Sequence, residues 1–146
     1  MAAATTTDDL YKKYMGYILQ NKPYTPPTSV WIGLFTEPPN VNGTGGLEVV
    51  KDTSTKYTRV QVLCDTSHWT DPQAPTMEMS NKLEITFPVP GTSWGTIKAA
   101  GIWDGENPGS SNLMWIGNIG TTKPIQAGDG APRILPNQFK ILRATC

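Results

Sequence analysis

The chain has 146 residues, 38% of them apolar, and its 12 basic and 12 acidic residues leave no formal net charge. Such a balance gives no long-range field for nucleic acid, an anionic membrane or a strongly charged substrate, so binding has to rest on shape and local contacts. No run approaches 18 consecutive apolar residues, and the start lacks the basic-then-apolar pattern of a secretory signal, so the chain reads as soluble and unprocessed.

The length suits a single domain over residues 1–146, with a helical segment over 1–22 and a β-sandwich over 23–146. Thr7 or Asp8 can cap a helix that runs to about Gln20, and Pro23 stops it. At 100° per residue, Leu10, Tyr11, Tyr14, Met15, Tyr17, Ile18 and Leu19 share an arc of roughly 200°, about twice the width of an ordinary core-facing stripe. Two readings follow. Either the tyrosines are half-exposed margins of a core stripe, or a second molecule covers part of the arc. On the second reading the candidate interface is Leu10, Tyr11, Tyr14, Met15, Ile18 and Leu19.

Beyond Pro23 the helical period disappears, and short runs rich in β-branched and aromatic residues alternate with Pro, Gly, Asn and Ser clusters. In "SVWIGLFT", Val30, Ile32 and Leu34 face one way and Trp31 and Phe35 the other, so both faces of that strand are expected to be covered. After the loop "EPPNVNGTGG", the run "YTRVQVLC" alternates, and "LEITFPV" is a third strand ended by Pro88 and Pro90. Ile97–Trp103 and Leu113–Ile119 are strand-length runs joined by "DGENPGSSN", and the segment around Ile134 to Leu142 supplies one or two closing strands. Gly95, Gly101 and Gly117 within these runs predict bulges or the close approach of another backbone. The expected fold class is all-β, a β-sandwich or jelly-roll-like fold of about six to eight strands with a short N-terminal α-helix.

The residues that bear chemistry do not assemble into a known motif. His68 is the only histidine, and "TSHWTD" lacks the strand-turn-helix setting of a nucleophile elbow. One histidine is a poor basis for zinc, and Cys64 and Cys146 are far apart with no C-x-x-C, so two free thiols are expected and no metal or disulfide. Asp65 with Asp71, and Asp104 with Glu106, read as turn caps rather than a glycosidase pair. "DGENPG" lacks the alternating oxygen series of a calcium loop, "GNIGTTK" is not a phosphate-binding loop, and Asn42-Gly43-Thr44 reads as a turn. The chain is therefore expected to be no enzyme and to hold no cofactor. Five Trp and five Tyr remain: Trp69 and Trp94 either fill the core, stack on sugars or anchor a protein interface.

A series of short motifs runs in a fixed order along the chain. It comprises Tyr24, Pro26 and Pro27 before "VWIGLFTEPP"; Gly45 to Val49; Tyr57 and Arg59; Ile85, Phe87 and Pro88; Trp94, Gly95 and Ile97; and Gly101, Ile102, Trp103 and Asp104. In this order and spacing, over nearly the whole chain, the sequence resembles a family of small tailed-bacteriophage proteins commonly labelled phage tail fibre protein. Its closing segment is richer in proline than the closing strands of that family. The resemblance implies a structural, non-enzymatic virion component, with other phage structural proteins of the capsid or tail as partners and assembly of the virion in the host cytoplasm. A homo-oligomer is expected because virion surfaces repeat by symmetry. The label favours a tail-fibre-type appendage, while small size and the lack of repetitive fibre sequence favour a capsid decoration or cement subunit. The alternative from another class is a carbohydrate-binding module that attaches to a host glycan.

Overall fold

The computed structural model describes residues 4–142, in which one helix and ten strands occur. In chain order these are β1 (Thr5–Thr6), α1 (Asp8–Gln20), β2 (Ser29–Glu37), β3 (Leu47–Glu48), β4 (Val60–Leu63), β5 (Met79–Ser80), β6 (Ile85–Thr86), β7 (Gly95–Trp103), β8 (Leu113–Ile125), β9 (Arg133–Ile134) and β10 (Lys140–Ile141). Cys146 lies outside the described residues.

One antiparallel sheet has the order β1-β8-β7-β2, and its far edge is shared by β3 and β4, which pair with successive parts of β2. Two ribbons, β5 with β10 and β6 with β9, form a second layer. The alternation read in β2 holds. Val30, Ile32 and Leu34 join Ala100 and Ile102 on the inner face, where Ile85, Phe87 and Phe139 from the second layer complete the main core. Phe35, Ala99, Leu113 and Ile116 form a smaller cluster on the outer face, so both faces are covered as expected.

Several expected boundaries move, and the reasons are physical. The N-terminal segment contributes a strand as well as a helix, because Thr5 and Thr6 pair with Ile116 and Trp115 before Thr7 turns the chain. The strand expected from Tyr57 begins only at Val60, since the preceding side chains are drawn into a polar cluster rather than a ladder. "LEITFPV" shrinks to Ile85–Thr86, and the ladder is not carried through Pro88, which has no N–H to donate. The strand expected to end at Ile119 instead runs to Ile125 and carries Pro124. Because β1 pairs only with Trp115 and Ile116, the rest of β8 is an edge of the sheet, where proline is tolerated. Ten strands replace the expected six to eight because the second layer is built from two-residue pairs that sequence periodicity does not register.

Gly33 of β2 stands directly opposite Gly101 of β7. A Cβ on Gly101 would come within 2.7 Å of Leu113 and 2.9 Å of Phe35. One on Gly33 would come within 2.6 Å of the Glu48 carboxylate, 3.1 Å of Trp103 Nε1 and 3.2 Å of the Tyr57 hydroxyl. The pair of glycines thus makes a notch in the outer face, and large side chains fill it. The backbone expected close to Gly101 is the Trp115 carbonyl, 3.3 Å from where a Cβ would stand and farther than the two side chains, while the ladder irregularities fall between Ile97 and Ala99 and between Ile102 and Trp103.

Candidate functional site

Thr7 has extended backbone (φ −76°, ψ 159°) and caps α1, its hydroxyl accepting from Leu10 N–H at 3.4 Å and donating to the Leu113 carbonyl at 2.7 Å. The cap therefore also ties the helix to β8, and two further bonds fix its start: Thr7 N–H to Met114 O, and Asp8 N–H to Val41 O. Asp8 and Asp9 in the first turn suit the positive end of the helix dipole, and Asp9 pairs with Lys13 at 2.8 Å. The helix ends at Asn21, whose left-handed backbone (φ 52°) lets Lys22 N–H bond back to Gly16 O. The stop comes two residues before Pro23, which was expected to provide it.

Held at its first turn, α1 buries little beyond that turn. Leu10 enters the main core and Met15 is half-buried. Tyr11, Tyr14, Tyr17 and Ile18 are each more than half exposed, and Leu19 is 71% exposed. Of the six candidate interface residues, Leu10 is thus spoken for by the chain's own core, and the remaining five point outward or along the margin. At the base of the helix a cleft of about 220 Å³ is lined by Asp9, Lys13, Tyr24, Thr25, Asp104 and Met114, and burial raises the Tyr24 phenol above its ordinary pKa.

The catalytic candidates resolve into turn chemistry. His68 Nδ1 lies 2.7 Å from Asp65 Oδ1, which also accepts the N–H groups of Ser67 and His68. The bond from the His68 ring is the leading cause that holds the Asp65 carboxyl below its usual range. Cys64, next to this turn, has its thiol pushed up by burial, the opposite of an activated nucleophile. Asp104 clasps Asn112 through both oxygens, Glu106 pairs with Lys51 at 2.8 Å, and Asn42 accepts from the Thr44 backbone and hydroxyl. Among the described residues no group of three or more His, Cys, Asp or Glu side chains could hold a metal ion, and no helix is long and apolar enough to cross a membrane.

The tryptophans raised as sugar platforms are core residues. Trp94 is 4% exposed, its indole N–H bonded to Thr55 O at 2.8 Å and its ring edge-on to Tyr57. Trp69 is 9% exposed, bonds Leu63 O and meets Phe139 edge-on. Neither presents a face to solvent on which a sugar could stack.

One polar arrangement was not anticipated. In the notch beside Gly33, Arg59 makes two 2.7 Å bonds to the two oxygens of Glu48, and its remaining nitrogen donates to Gly105 O and Ser111 Oγ. Its guanidinium lies 3.8 Å from the Trp103 ring centroid. The Tyr57 hydroxyl accepts from Leu34 N–H and donates to Glu48, and burial, seconded by that carboxylate, raises its pKa so that it stays protonated. The sequence marked these residues separately, as an arginine alternating with apolar residues in "YTRVQV" and as the motif positions Gly45 to Val49, Tyr57, Arg59 and Trp103, but gave no sign that they meet. The cluster joins β3, the approach to β4 and the β7–β8 loop. The charges in it are paired with each other, while the buried Trp103 indole N–H beside them has no acceptor among the described residues.

None of the curated proteins matches the chain. Residues 5–141, from β1 through β10, match the model of a family described as podophage GP4 fiber I protein gp80. The chain therefore belongs to that Gp80 fibre family and is a structural component of a phage virion.

Proposed function

We infer that this chain is a non-catalytic, fibre-type subunit acting as a single unit, seated in its particle through the outward face of α1. The observation that carries the reading is the exposure of Tyr11, Tyr14, Tyr17, Ile18 and Leu19 on one short helix of a chain with no net charge. Left bare, that apolar face is an aggregation hazard on a chain whose zero net charge gives copies no long-range repulsion. A neighbouring virion protein covers it. The family description favours a fibre appendage over a head decoration subunit.

The test uses surface substitutions. Removing residues 1–20, the obvious truncation, would also remove β1 and the buried Ala4, Thr7 and Leu10, and so would cut into the core. A chain carrying Tyr11→Ser, Tyr14→Ser and Ile18→Ser is expected to fold with an unchanged circular dichroism spectrum and to be lost from purified particles. Wild-type occupancy of that variant would place the seat elsewhere on the chain.

A second reading, a host glycan bound at the surface, is favoured by the cleft between Tyr24, Asp9, Lys13 and Asp104, which offers one aromatic ring beside charged hydrogen-bonding groups. Binding on a glycan array that Tyr24→Ala abolishes would support it. An array without binding would remove it.

A further inference from the structure

Resting on the reading of α1 as an assembly element, we propose that the cleft at the base of α1 takes an arginine side chain of the neighbouring protein that covers the helix. Three acidic residues are partly buried among the described ones: Glu48, Glu78 and Asp104. A carboxylate withdrawn from water ordinarily has a cation beside it, and Glu48 has Arg59 while Glu78 has Lys140. Asp104 differs. Its two oxygens accept only from the backbone and side-chain amides of Asn112, at 2.6 and 2.8 Å. A neutral group thus fixes its orientation and leaves its charge uncancelled, and each oxygen keeps a lone pair for a further donor.

The rest of the cleft selects the kind of cation. Asp9 is already paired with Lys13 at 2.8 Å, so the three charged side chains of the lining sum to one negative charge. Tyr24 supplies an aromatic ring, and Leu10 and Met114 supply apolar wall. A planar guanidinium can stack on the ring and fork onto the carboxylate while its methylene stem lies along the wall, which suits arginine better than lysine. A calcium ion would ask for six to eight oxygen ligands, more than two carboxylates bring.

Size and position agree. The volume of about 220 Å³ is below the roughly 300–1,000 Å³ of clefts that enclose a drug-sized ligand, and so suits one side chain better than an oligosaccharide. Tyr17, 53% exposed, stands one turn beyond Lys13 on the same side of α1, so the exposed helix surface continues to the cleft's edge. A protein lying over the helix therefore passes beside Asp104.

The test titrates the full chain with N-acetyl-arginine amide at constant ionic strength, followed by nitrogen–proton correlation NMR. The amides of Tyr24, Thr25, Asp104 and Gly105 should shift with a dissociation constant of about 1–30 mM. The matching citrulline amide, which has the shape without the charge, should bind at least about tenfold more weakly, as should arginine to Asp104→Asn. Lys13→Gln should tighten the arginine about threefold or more, because Asp9 and Asp104 are then both uncompensated. Equal shifts with citrulline, or a Lys13→Gln chain that binds no tighter, would overturn the cation site. In particles, Asp104→Asn should detach at lower salt than the parent. Loss of the triple serine variant beside an Asp104→Asn chain of unchanged occupancy and salt resistance would overturn the arginine contact and leave the α1 seat standing. Full occupancy of the triple serine variant, with the arginine amide still bound, would sustain the cation site and remove the α1 seat. Glycan binding abolished by Tyr24→Ala, in a chain that shows no arginine shifts, would give the cleft to a sugar and overturn the proposal.

Discussion

Arg59 is 3% exposed and Leu19 is 71% exposed, the reverse of where an arginine and a leucine usually lie. The two regions behind these values solve opposite problems. In the notch at Gly33 and Gly101 a charge is buried, and it is held by a two-pronged carboxylate, a carbonyl, a hydroxyl and an indole face. The charges of that site are matched, although the buried Trp103 N–H beside them has no acceptor among the described residues, and taking away Arg59 or Glu48 leaves the other charge unpaired in a low-dielectric setting. Along α1 the apolar side chains have no such closure: after Leu10 the helix leaves the core and nothing within the described residues buries its far end. Matched charge in one region and uncovered apolar surface in the other separate what keeps the chain folded from what is free to meet another molecule.

The largest expected effect comes from the charge-matched region. Arg59→Ala should destabilise the fold by about 3–5 kcal/mol in urea unfolding, because Glu48 is left largely buried without its partner. A loss below about 1 kcal/mol would mean the cluster is dispensable and would erase the contrast. Tyr57→Phe should cost about 1–3 kcal/mol by the same measurement, since the Leu34 N–H loses its acceptor and Glu48 loses a donor.

Thr7 joins the two regions, so Thr7→Ala tests the hinge between them. It removes a helix cap and a buried bond to Leu113 O, and a loss of about 1–2 kcal/mol is expected, with hydrogen exchange rising first in α1. Tyr14→Ser with Ile18→Ser should change the stability of the monomer by less than about 0.5 kcal/mol, because both side chains already face solvent. A larger loss would show that the helix face belongs to the core.

The smallest effect lies at the exposed His68–Asp65 turn. The folded pKa of Asp65 is depressed, so its contribution is present above the unfolded value of about 3.9 and is lost as pH falls through the lower folded value. Thermal midpoints of Asp65→Asn and the parent should accordingly differ at pH 5 and converge toward the acid end. A difference that persisted unchanged at the lowest pH would assign the effect to something other than this carboxylate.

Residues 7 to 21 declare α1 almost unaided, because capping chemistry and a 3.6-residue period act over neighbours in the chain; β2 announces itself by alternation, and β7 and the first half of β8 as strand-length apolar runs. The candidate interface was legible as an arc of side chains and not as a surface. Leu10 and Leu19 stand at opposite margins of that arc, about 180° apart, and one sits in the core and the other in solvent because only the Leu10 margin is turned toward the sheet, which the tertiary packing decides. Glu48 and Arg59 are 11 residues apart and Ser111 is 52 beyond Arg59, so no local rule links them. They meet because β3 and β4 share one edge of β2 and Gly33 leaves room, and strand pairing of that kind is settled by the energy of the whole core rather than by any window of sequence.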